Sequence, residues 1–307
     1  MMLTAETLKG VWALVTSPWD EDGRFDEATF RHDVSYQCGS GVHGLYNGGS
    51  SGEFFTMEFD EFRAQTDIFL DEVGKTGMPH QIGITAADTR GAIRRAEYAI
   101  GNGAMALQVA LPYFMTLKPD DILRFFEDLA RACGDTPLIH YNSGYTKMVL
   151  NADDYIRLID RTPTLIGTKL TKGDPLWLAT ICERVPQISH FTGEYTFVAD
   201  FAAGARGIYS WLAVTNPRLT LEWYEACVGG DWARAIAIQQ LIIRYKIHVK
   251  LRWQGQSDAG GNKADAAINP NIRCHPRVRP PYASCTSEDL AHARQWAAEN
   301  FPELLEL

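Results

Sequence analysis

The feature that most constrains the fold of this chain is a regular alternation of short apolar runs with helix-like segments. Eight such runs begin roughly 18 to 36 residues apart. This spacing leaves room for a crossover helix after most of them, as parallel β–α–β units require. The predicted strands cover residues 11–16, 44–48, 80–84, 104–110, 137–141, 165–169, 188–192 and 206–210, and the predicted helices 27–40, 57–73, 89–101, 119–133, 152–161 and 174–184.

Eight repeating units favour a (β/α)8 barrel, because no other common fold uses that number so economically. A doubly wound sheet is the competing fold, and it would be expected to carry a glycine-rich nucleotide fingerprint after a strand. Gly101-Asn102-Gly103 precedes a strand, and Gly48-Gly49-Ser50-Ser51-Gly52 matches neither nucleotide motif. We therefore predict a barrel over residues 1–228, followed by a helical C-terminal extension over residues 229–307.

Composition narrows the class of protein and its partners. A formal charge of −9 and a pI of about 5.4 argue against nucleic acid, which requires a basic surface. No apolar segment approaches the ~18 residues of a membrane span, and the N-terminus lacks the features of a signal peptide. The six cysteines form no Cys-x-x-Cys pair and no zinc-site spacing, which favours buried free thiols. We expect a cytoplasmic protein that binds neither nucleic acid nor membrane.

A lysine at the end of the sixth predicted strand is a candidate nucleophile. Lys169 follows the apolar run from Leu165, and burial lowers the pKa of an amine because it disfavours the charged form. The alternative is a solvated lysine at a strand end. Lys172 is a rival nucleophile, but it lies beyond the strand beside Gly173-Asp174, where we expect it to face solvent.

Two other strand ends carry polar groups that suit the same chemistry. In a barrel the carboxyl ends of all eight strands converge. Ser50 and Ser51 follow the second strand, where small residues expose backbone N–H groups to an anion, and Tyr141 ends the fifth. A desolvated lysine, a carboxylate site and a proton-transferring phenol are what an imine-forming enzyme needs to bind and activate a 2-keto acid. This chemistry requires no metal and no cofactor beyond the lysine imine.

Several motifs, taken in order, resemble the dihydrodipicolinate synthase/N-acetylneuraminate lyase family of class I pyruvate aldolases. The resemblance implies a (β/α)8 barrel with a helical extension, a homotetramer, and a 2-keto acid with an aldehyde as the small-molecule partners. It also implies Lys169 as the Schiff-base lysine, Tyr141 as the proton relay, and Ser50 and Ser51 as carboxylate contacts. The motifs are Thr16-Ser17-Pro18-Trp19, Asp22-Gly23, Gly49-Ser50-Ser51-Gly52-Glu53, Tyr141-Asn142, Gly167-Thr168-Lys169, Gly173-Asp174, Gly207-Ile208-Tyr209-Ser210 and Arg279-Pro280-Pro281.

Departures from the family pattern concern the second substrate. The arginine that typically follows the Tyr-Asn pair in dihydrodipicolinate synthases is missing, and Lys147 lacks the bidentate geometry of a guanidinium. Phe114 occupies the position of the relay's second tyrosine. Glu194 is the acid available after the seventh strand, which disfavours a long polyol substrate. The further substrate-binding candidates are Tyr145, Glu194, Tyr209 and Ser210.

Aromatic residues near the predicted strand ends suggest a compact, relatively apolar aldehyde, although each could equally belong to the core. They are Phe54, Phe55, Phe114, Tyr145, Tyr209 and Trp211. Three alternatives to the aldolase remain open at this point. The same imine could serve a dehydratase or deaminase, the chain could be a variant dihydrodipicolinate synthase, or the barrel could bind a keto acid without catalysis.

The C-terminal region is distinguished by its charge. Residues 244–279 hold eight Lys or Arg and two Asp, in contrast to the acidic remainder. Residues 244–253 alternate polar and apolar side chains as a strand would, but they continue the helical pattern of 232–243, so we predict a helix. We expect its surface to face solvent or another subunit, with an acidic partner as the alternative. Residues 255–275, rich in Gly, Asn and Ala, are predicted to be irregular.

Overall fold

The computed structural model describes residues 3–171, 174–253 and 257–307. Eight parallel strands join in sequence order into a closed barrel, which confirms the predicted (β/α)8 class. Each predicted strand is present, with bounds that differ from the prediction by at most three residues. The strands are β1 (Gly10–Leu14), β2 (Gly44–Asn47), β3 (His80–Gly83), β4 (Leu107–Val109), β5 (Leu138–Asn142), β6 (Leu165–Leu170), β7 (Ser189–Thr192) and β8 (Gly207–Ser210).

Helices follow the strands and continue into a helical C-terminal extension. Local signals set several of their starts: Asp88 accepts a hydrogen bond from the Gly91 backbone N–H at the start of α3, and Pro119 is the first residue of α4. The α-helices are α1 (Glu27–Cys38), α2 (Phe59–Thr76), α3 (Thr89–Gly101), α4 (Pro119–Cys133), α5 (Ala152–Ile159), α6 (Pro175–Arg184), α7 (Phe197–Ala202), α8 (Leu212–Thr215), α9 (Pro217–Val228), α10 (Trp232–His248), α11 (Asp258–Ala266) and α12 (Ser287–Asn300).

The chain divides into two compact units. One comprises Met1–Gly10 and Pro79–Tyr209, and the other comprises Val11–Met78 and Ser210–Leu307. The first unit contains β3 to β7 and most of β8, whereas the second contains β2, most of β1 and the C-terminal helices. The predicted boundary after residue 228 stays a prediction.

In the first unit, strand register sorts side chains onto two faces of the sheet. Tyr141 of β5 pairs with Lys169 of β6, which pairs with Phe191 of β7, so these three side chains share one face. The preceding residues of the same strands project toward the other face. There His140 bonds to the Tyr155 hydroxyl at 2.8 Å, and burial lowers its pKa to about 3. A neutral, structural histidine therefore stands next to the candidate catalytic tyrosine.

The C-terminal region confirms one prediction and corrects another. Residues 244–248 complete α10 and residues 250–253 form a short 3-10 helix, so the segment is helical as predicted. The prediction that residues 255–275 are irregular is wrong for residues 258–266, which form α11. Residues 254–256 lie outside the described residues. The sequence pattern did not predict this helix because it contains glycines at 260 and 261, and glycine has a low helix propensity.

Much of the basic charge near the C-terminus is paired inside the second unit. Lys250 forms an ion pair with Asp265, Lys263 with Glu53, and Arg279 with Glu61. The acidic-partner alternative for residues 244–279 loses support, because three of its eight cations already have acidic partners.

Two further findings bear on composition. All six cysteines are buried and unpaired, as predicted. Over the ranges 3–171, 174–253 and 257–307, no helix has the length and apolar character needed to cross a membrane.

Candidate active site

Lys169 lies near the carboxyl end of β6 in an environment that disfavours its charged form. Its side chain is only 6% exposed. Burial lowers the pKa of its amine below the usual value, while Tyr141 and Glu194 act in the opposite direction. The net lowering increases the fraction of neutral amine, which is the nucleophilic form.

Two aromatic rings lie close to the Lys169 amine. The Nζ atom is 4.4 Å from the centre of the Tyr141 ring and 5.3 Å from that of Tyr209. The contact with Tyr141 follows from the pairing of β5 with β6, in which the two residues are direct partners. Aromatic faces attract cations, and they do so without supplying the hydration that an ammonium ion loses on burial. This surrounding suits an iminium ion, whose charge is more dispersed than that of an ammonium.

Tyr209 is held by polar residues from two other strands. Its hydroxyl donates to Gln81 Oε1 at 2.8 Å, and the Gln108 amide also donates to Gln81 Oε1 at 3.3 Å. Burial raises the pKa of Tyr209 well above its usual value, so its phenol stays neutral. Sequence reasoning missed Gln81 and Gln108. The available signal was a polar glutamine inside each of two short predicted strands.

Glu194 follows β7 and is buried, with 5% of its surface exposed. Its charge raises the pKa of Lys169, which means that the two groups interact electrostatically. A carboxylate in this position can accept a hydrogen bond from a substrate hydroxyl or exchange a proton with it. The structure thus brings Glu194, Tyr141, Tyr209 and Lys169 into one cluster within the first unit.

The loop after β5 is pinned by Asn142. Its side-chain amide donates to the Leu150 carbonyl at 2.9 Å, and its side-chain oxygen accepts from the Leu150 N–H at 3.0 Å. These two bonds close the segment that carries Tyr145, whose side chain is 59% exposed. The asparagine of the Tyr-Asn pair is therefore a loop anchor.

Lys147 does not behave as a substitute for the missing arginine. Its amine donates to the backbone carbonyl of Phe114 at 2.6 Å, and it lies 5.8 Å from the centre of the Phe114 ring. The backbone of Lys147 is left-handed, with φ of 61°. Phe114 itself is 72% exposed. Lys147 therefore connects the loop after β5 to the loop after β4, where Phe114 exposes apolar surface.

In the second unit, the residues after β2 form a tight turn. Ser50–Gly52 is a 3-10 helix, and the Ser51 hydroxyl accepts a hydrogen bond from Asn262 of α11 at 2.8 Å. The next residue, Glu53, is fully buried in a left-handed conformation and pairs with Lys263. The glycine–serine turn predicted as a carboxylate site is thus built from β2 and fixed by α11. The contribution of α11 gave no recognisable signal in the sequence.

Ser210 and Trp211, at the end of β8, are also buried in the second unit. The Ser210 hydroxyl accepts from the N–H of Ala213, in the first turn of the short helix α8, at 3.2 Å. Trp211 stacks on Tyr245 of α10, with ring centres 5.7 Å apart, and Lys250 Nζ lies 4.1 Å from the Trp211 ring centre. These contacts assign Trp211 to the packing between α10 and the strand end. Lys172, the rival nucleophile, and Gly173 lie outside the described residues.

Comparison with known proteins gives consistent results. A model of the dihydrodipicolinate synthetase family matches residues 7–294. A 4-hydroxy-tetrahydrodipicolinate synthase from Acidiphilium cryptum is 33% identical over 237 residues, which cover 75% of this chain and 79% of the relative. A second, from Desulfotalea psychrophila, is 26% identical over 94% of this chain and 95% of its own length.

Solved structures share the fold. A wild-type sialic acid aldolase from Ruminococcus gnavus matches with a TM-score of 0.85 and 20% identity, covering 98% of this chain and 99% of that one. A prophage protein of the dihydrodipicolinic acid synthase family from E. coli K12, solved in complex with pyruvate, matches with a TM-score of 0.87 and 21% identity, covering 95% of this chain and 98% of the other.

Proposed function

The chain belongs to the dihydrodipicolinate synthetase family, and we propose that its lyase chemistry on pyruvate or a related 2-keto acid proceeds through an imine on Lys169. The observation that carries this assignment is the burial of Lys169, which lowers the pKa of its amine. An enzyme of the class I aldolase type needs such an amine to attack a carbonyl at neutral pH. Membership of an enzyme family removes support from the non-catalytic binding barrel.

The reaction follows from the chemistry of the amine. The neutral Lys169 nitrogen attacks C2 of the keto acid, and a proton moves from nitrogen to the former carbonyl oxygen. A second proton, from a general acid, lets this hydroxyl leave as water to give an iminium ion. Loss of a proton from C3 yields an enamine, whose carbon attacks the aldehyde carbonyl while the aldehyde oxygen takes up a proton. Water then hydrolyses the iminium ion and restores the amine. The iminium nitrogen is the electron sink, so the proposed reaction requires no further cofactor.

Tyr141 is the proposed proton relay in this sequence. Its ring is within 4.4 Å of the Lys169 amine, and a phenol can donate to the departing hydroxyl and accept a proton later. Tyr209 has a different proposed role, because its hydroxyl is already bonded to Gln81. We assign its ring face to stabilisation of the iminium charge.

The proposed second substrate is a compact aldehyde without a carboxylate. Residues 143–149 contain no arginine, and the Lys147 amine is engaged by the Phe114 carbonyl. Phe114 and Tyr145 offer apolar surface near the ends of β4 and β5. Glu194 and Tyr145 are the proposed contacts to the aldehyde. Ser50 and Ser51 remain the proposed residues for the keto acid, as the family resemblance implies, and Ser210 remains a proposed substrate-binding residue.

The assembly and location are proposals of the same kind. A homotetramer is what the family resemblance implies. A cytoplasmic location is supported by six buried cysteines without a disulfide, because thiols stay reduced in that compartment.

Reductive trapping tests the central step. The protein is incubated with pyruvate and borohydride, and the intact mass is expected to rise by the mass of pyruvate less one oxygen. Peptide mapping is expected to place the adduct on Lys169. The adduct should disappear in Lys169→Ala and persist in Lys172→Ala, which is the control for the rival lysine. An adduct that survives Lys169→Ala would contradict the proposal.

A substrate panel then separates the remaining alternatives. Aldol adducts of pyruvate with aromatic, aliphatic and carboxylate-bearing aldehydes are supplied, and pyruvate release is measured. We expect release from the apolar adducts to exceed release from the carboxylate-bearing ones. A 2-keto acid that loses water or ammonia without releasing pyruvate would instead identify a dehydratase or deaminase that uses the same imine.

A further inference from the structure

The Ser51 hydroxyl is bonded to a chain of polar side chains that ends in a buried ion pair. It accepts a hydrogen bond from the Asn262 amide nitrogen at 2.8 Å. The Asn262 side-chain oxygen in turn accepts from the Lys250 amine at 3.4 Å, and Lys250 forms an ion pair with Asp265. All four residues belong to the second unit. The orientation of the Ser51 hydroxyl therefore depends on residues about 200 positions further along the chain.

The surroundings of Lys250 favour its charged form. Asp265 is fully buried, and its carboxylate also accepts from the Tyr245 hydroxyl at 2.9 Å. The Lys250 amine lies 4.1 Å from the centre of the Trp211 ring. A carboxylate and an aromatic face both stabilise a cation. A charged amine has three donors and no acceptor, so Asn262 must direct its side-chain oxygen, and not its nitrogen, toward Lys250.

The direction of the bond between Asn262 and Ser51 follows from this. With its oxygen toward Lys250, Asn262 directs its amide nitrogen at Ser51 and can only donate there. A hydroxyl has one proton, which cannot point at a donor, so the Ser51 proton is directed away from Asn262. A carboxylate of a substrate only accepts hydrogen bonds. A hydroxyl that is already oriented as a donor binds such a group without losing rotational freedom at that step.

We propose that Lys250 and Asn262 position Ser51 as a hydrogen-bond donor to the carboxylate of the keto acid. Both are positioning residues, because each acts through the Ser51 hydroxyl. The inference rests on the proposed function, in which Ser51 contacts the carboxylate of a keto acid that forms an imine on Lys169. It adds that the direction of one hydrogen bond determines how tightly the keto acid is held.

Replacing Asn262 by an acid tests the direction of this bond. Aspartate has nearly the shape of asparagine, but both of its oxygens accept, so Lys250 and Ser51 would both donate to it. Ser51 would then present a lone pair to the substrate carboxylate. We expect Asn262→Asp to raise the pyruvate concentration that half-saturates adduct formation on Lys169 by about ten-fold or more. Short borohydride pulses and intact mass measure this concentration, and the adduct at saturating pyruvate should be unchanged.

Asn262→Ala removes the bond without reversing it, and Ser51 can still rotate to donate. We expect a smaller rise in the half-saturating concentration, of about three-fold. A role in packing alone predicts the opposite order, because alanine leaves a cavity and aspartate does not. The matched control is Asn271→Asp, which adds the same charge at an exposed asparagine of the second unit and should keep the wild-type value. A larger rise for alanine than for aspartate would overturn the proposal.

A double-mutant cycle with Ser51→Ala separates this orienting effect from direct charge repulsion. In the Ser51→Ala background, Asn262→Asp should have little further effect, because the hydroxyl is already absent. The same ten-fold effect in both backgrounds would show that the added charge repels the carboxylate directly, and would overturn the proposal.

The same measurements distinguish failure of this inference from failure of the proposed function. If Ser51→Ala binds pyruvate as tightly as the wild type, Ser51 is not a carboxylate contact and the inference falls, while the imine on Lys169 stands. No adduct on Lys169 in the wild type would refute the proposed function and this inference together. Circular dichroism of each variant verifies that the fold is kept.

Discussion

Burial of Lys169 has opposite effects on reactivity and on stability. The lowered pKa of its amine makes a nucleophile available. The unfolded chain solvates the same amine and protonates it more readily, so burying the amine lowers the stability of the folded state. The sequence was sufficient to predict that Lys169 and Tyr141 lie near the carboxyl ends of two barrel strands, because both close apolar runs; their catalytic roles stay predictions. It did not predict the bond between Tyr209 and Gln81, since that contact joins residues 128 positions apart and depends on side-chain packing inside the barrel.

Lys169→Met is expected to stabilise the protein at pH 7. The folded-state pKa of Lys169 lies below its unfolded value, so between the two values the unfolded state binds more protons and stability rises with pH. The loss of folding stability caused by burying the lysine amine has its full value below the folded-state pKa. It disappears above the unfolded-state pKa. We expect the variant to melt on the order of 1–3 °C higher at pH 7, with a smaller difference at pH 10.

Thermal unfolding at the two pH values measures this effect, with Lys118→Met as the control for removing an exposed lysine. The control should change the melting temperature little at either pH. An equal gain for Lys169→Met at both pH values would show that packing, rather than desolvation of the amine, is responsible.

At the scale of elements, α11 forms in a segment that was predicted to be irregular, and its contacts explain why it forms. Its side chains bond to Ser51, Glu53 and Lys250, so a segment with low intrinsic propensity is ordered by tertiary contacts. Gly260 favours close packing, because a Cβ atom there would make a tight contact of 3.1 Å with the Ala283 carbonyl oxygen. By contrast, α3 and α4 were predicted with correct bounds because a capping aspartate or an initial proline marks their starts.

Lys263→Met is expected to destabilise the protein by about 3–5 kcal/mol, because it leaves the Glu53 carboxylate buried without its cation. The double variant Lys263→Met/Glu53→Gln should recover part of this loss, because no charge remains buried. The Trp19 indole and the Arg279 N–H bond to different oxygens of Glu53, and a glutamine, which has one acceptor oxygen, keeps one of these two bonds.

Denaturant unfolding of the wild type, both single variants and the double variant gives the coupling energy of the pair. The prediction requires strong non-additivity. Additive losses in the double variant would show that the two residues stabilise the fold independently, and that the ion pair is not what fixes α11 to the turn after β2.

At the scale of the whole molecule, periodicity alone was enough to predict the closed barrel, because eight apolar runs at crossover spacing leave few other arrangements. Strand ends were less predictable, since hydrogen bonding between neighbours and not composition decides where a strand stops. Residues 244–247 alternate polar and apolar side chains as a strand would, yet they lie in α10, where Tyr245 is buried and Ile247 is exposed.

A barrel has no free edge only if its first and last strands meet. Gly207 of β8 lies against Gly10 of β1. The Gly10 N–H donates to the Arg206 carbonyl at 3.0 Å. A Cβ atom at residue 207 would lie 2.4 Å from the Gly10 carbonyl oxygen and 2.4 Å from the Phe191 ring. Neither neighbour has room to move freely, because the first is backbone and the second packs on Tyr209 at 4.7 Å.

Gly207→Ala is therefore expected to destabilise the protein by about 1–3 kcal/mol, the usual cost of overpacking, and to slow formation of the pyruvate adduct because Phe191 presses on Tyr209 beside Lys169. Gly74→Ala is the matched control: it lies in α2, nothing lies within 4 Å of the added Cβ, and alanine favours a helix over glycine by up to about 1 kcal/mol. Denaturant unfolding and the borohydride assay report the two effects separately. If Gly207→Ala were as stable as Gly74→Ala, the meeting of the first and last strands would not depend on the absence of a side chain at residue 207.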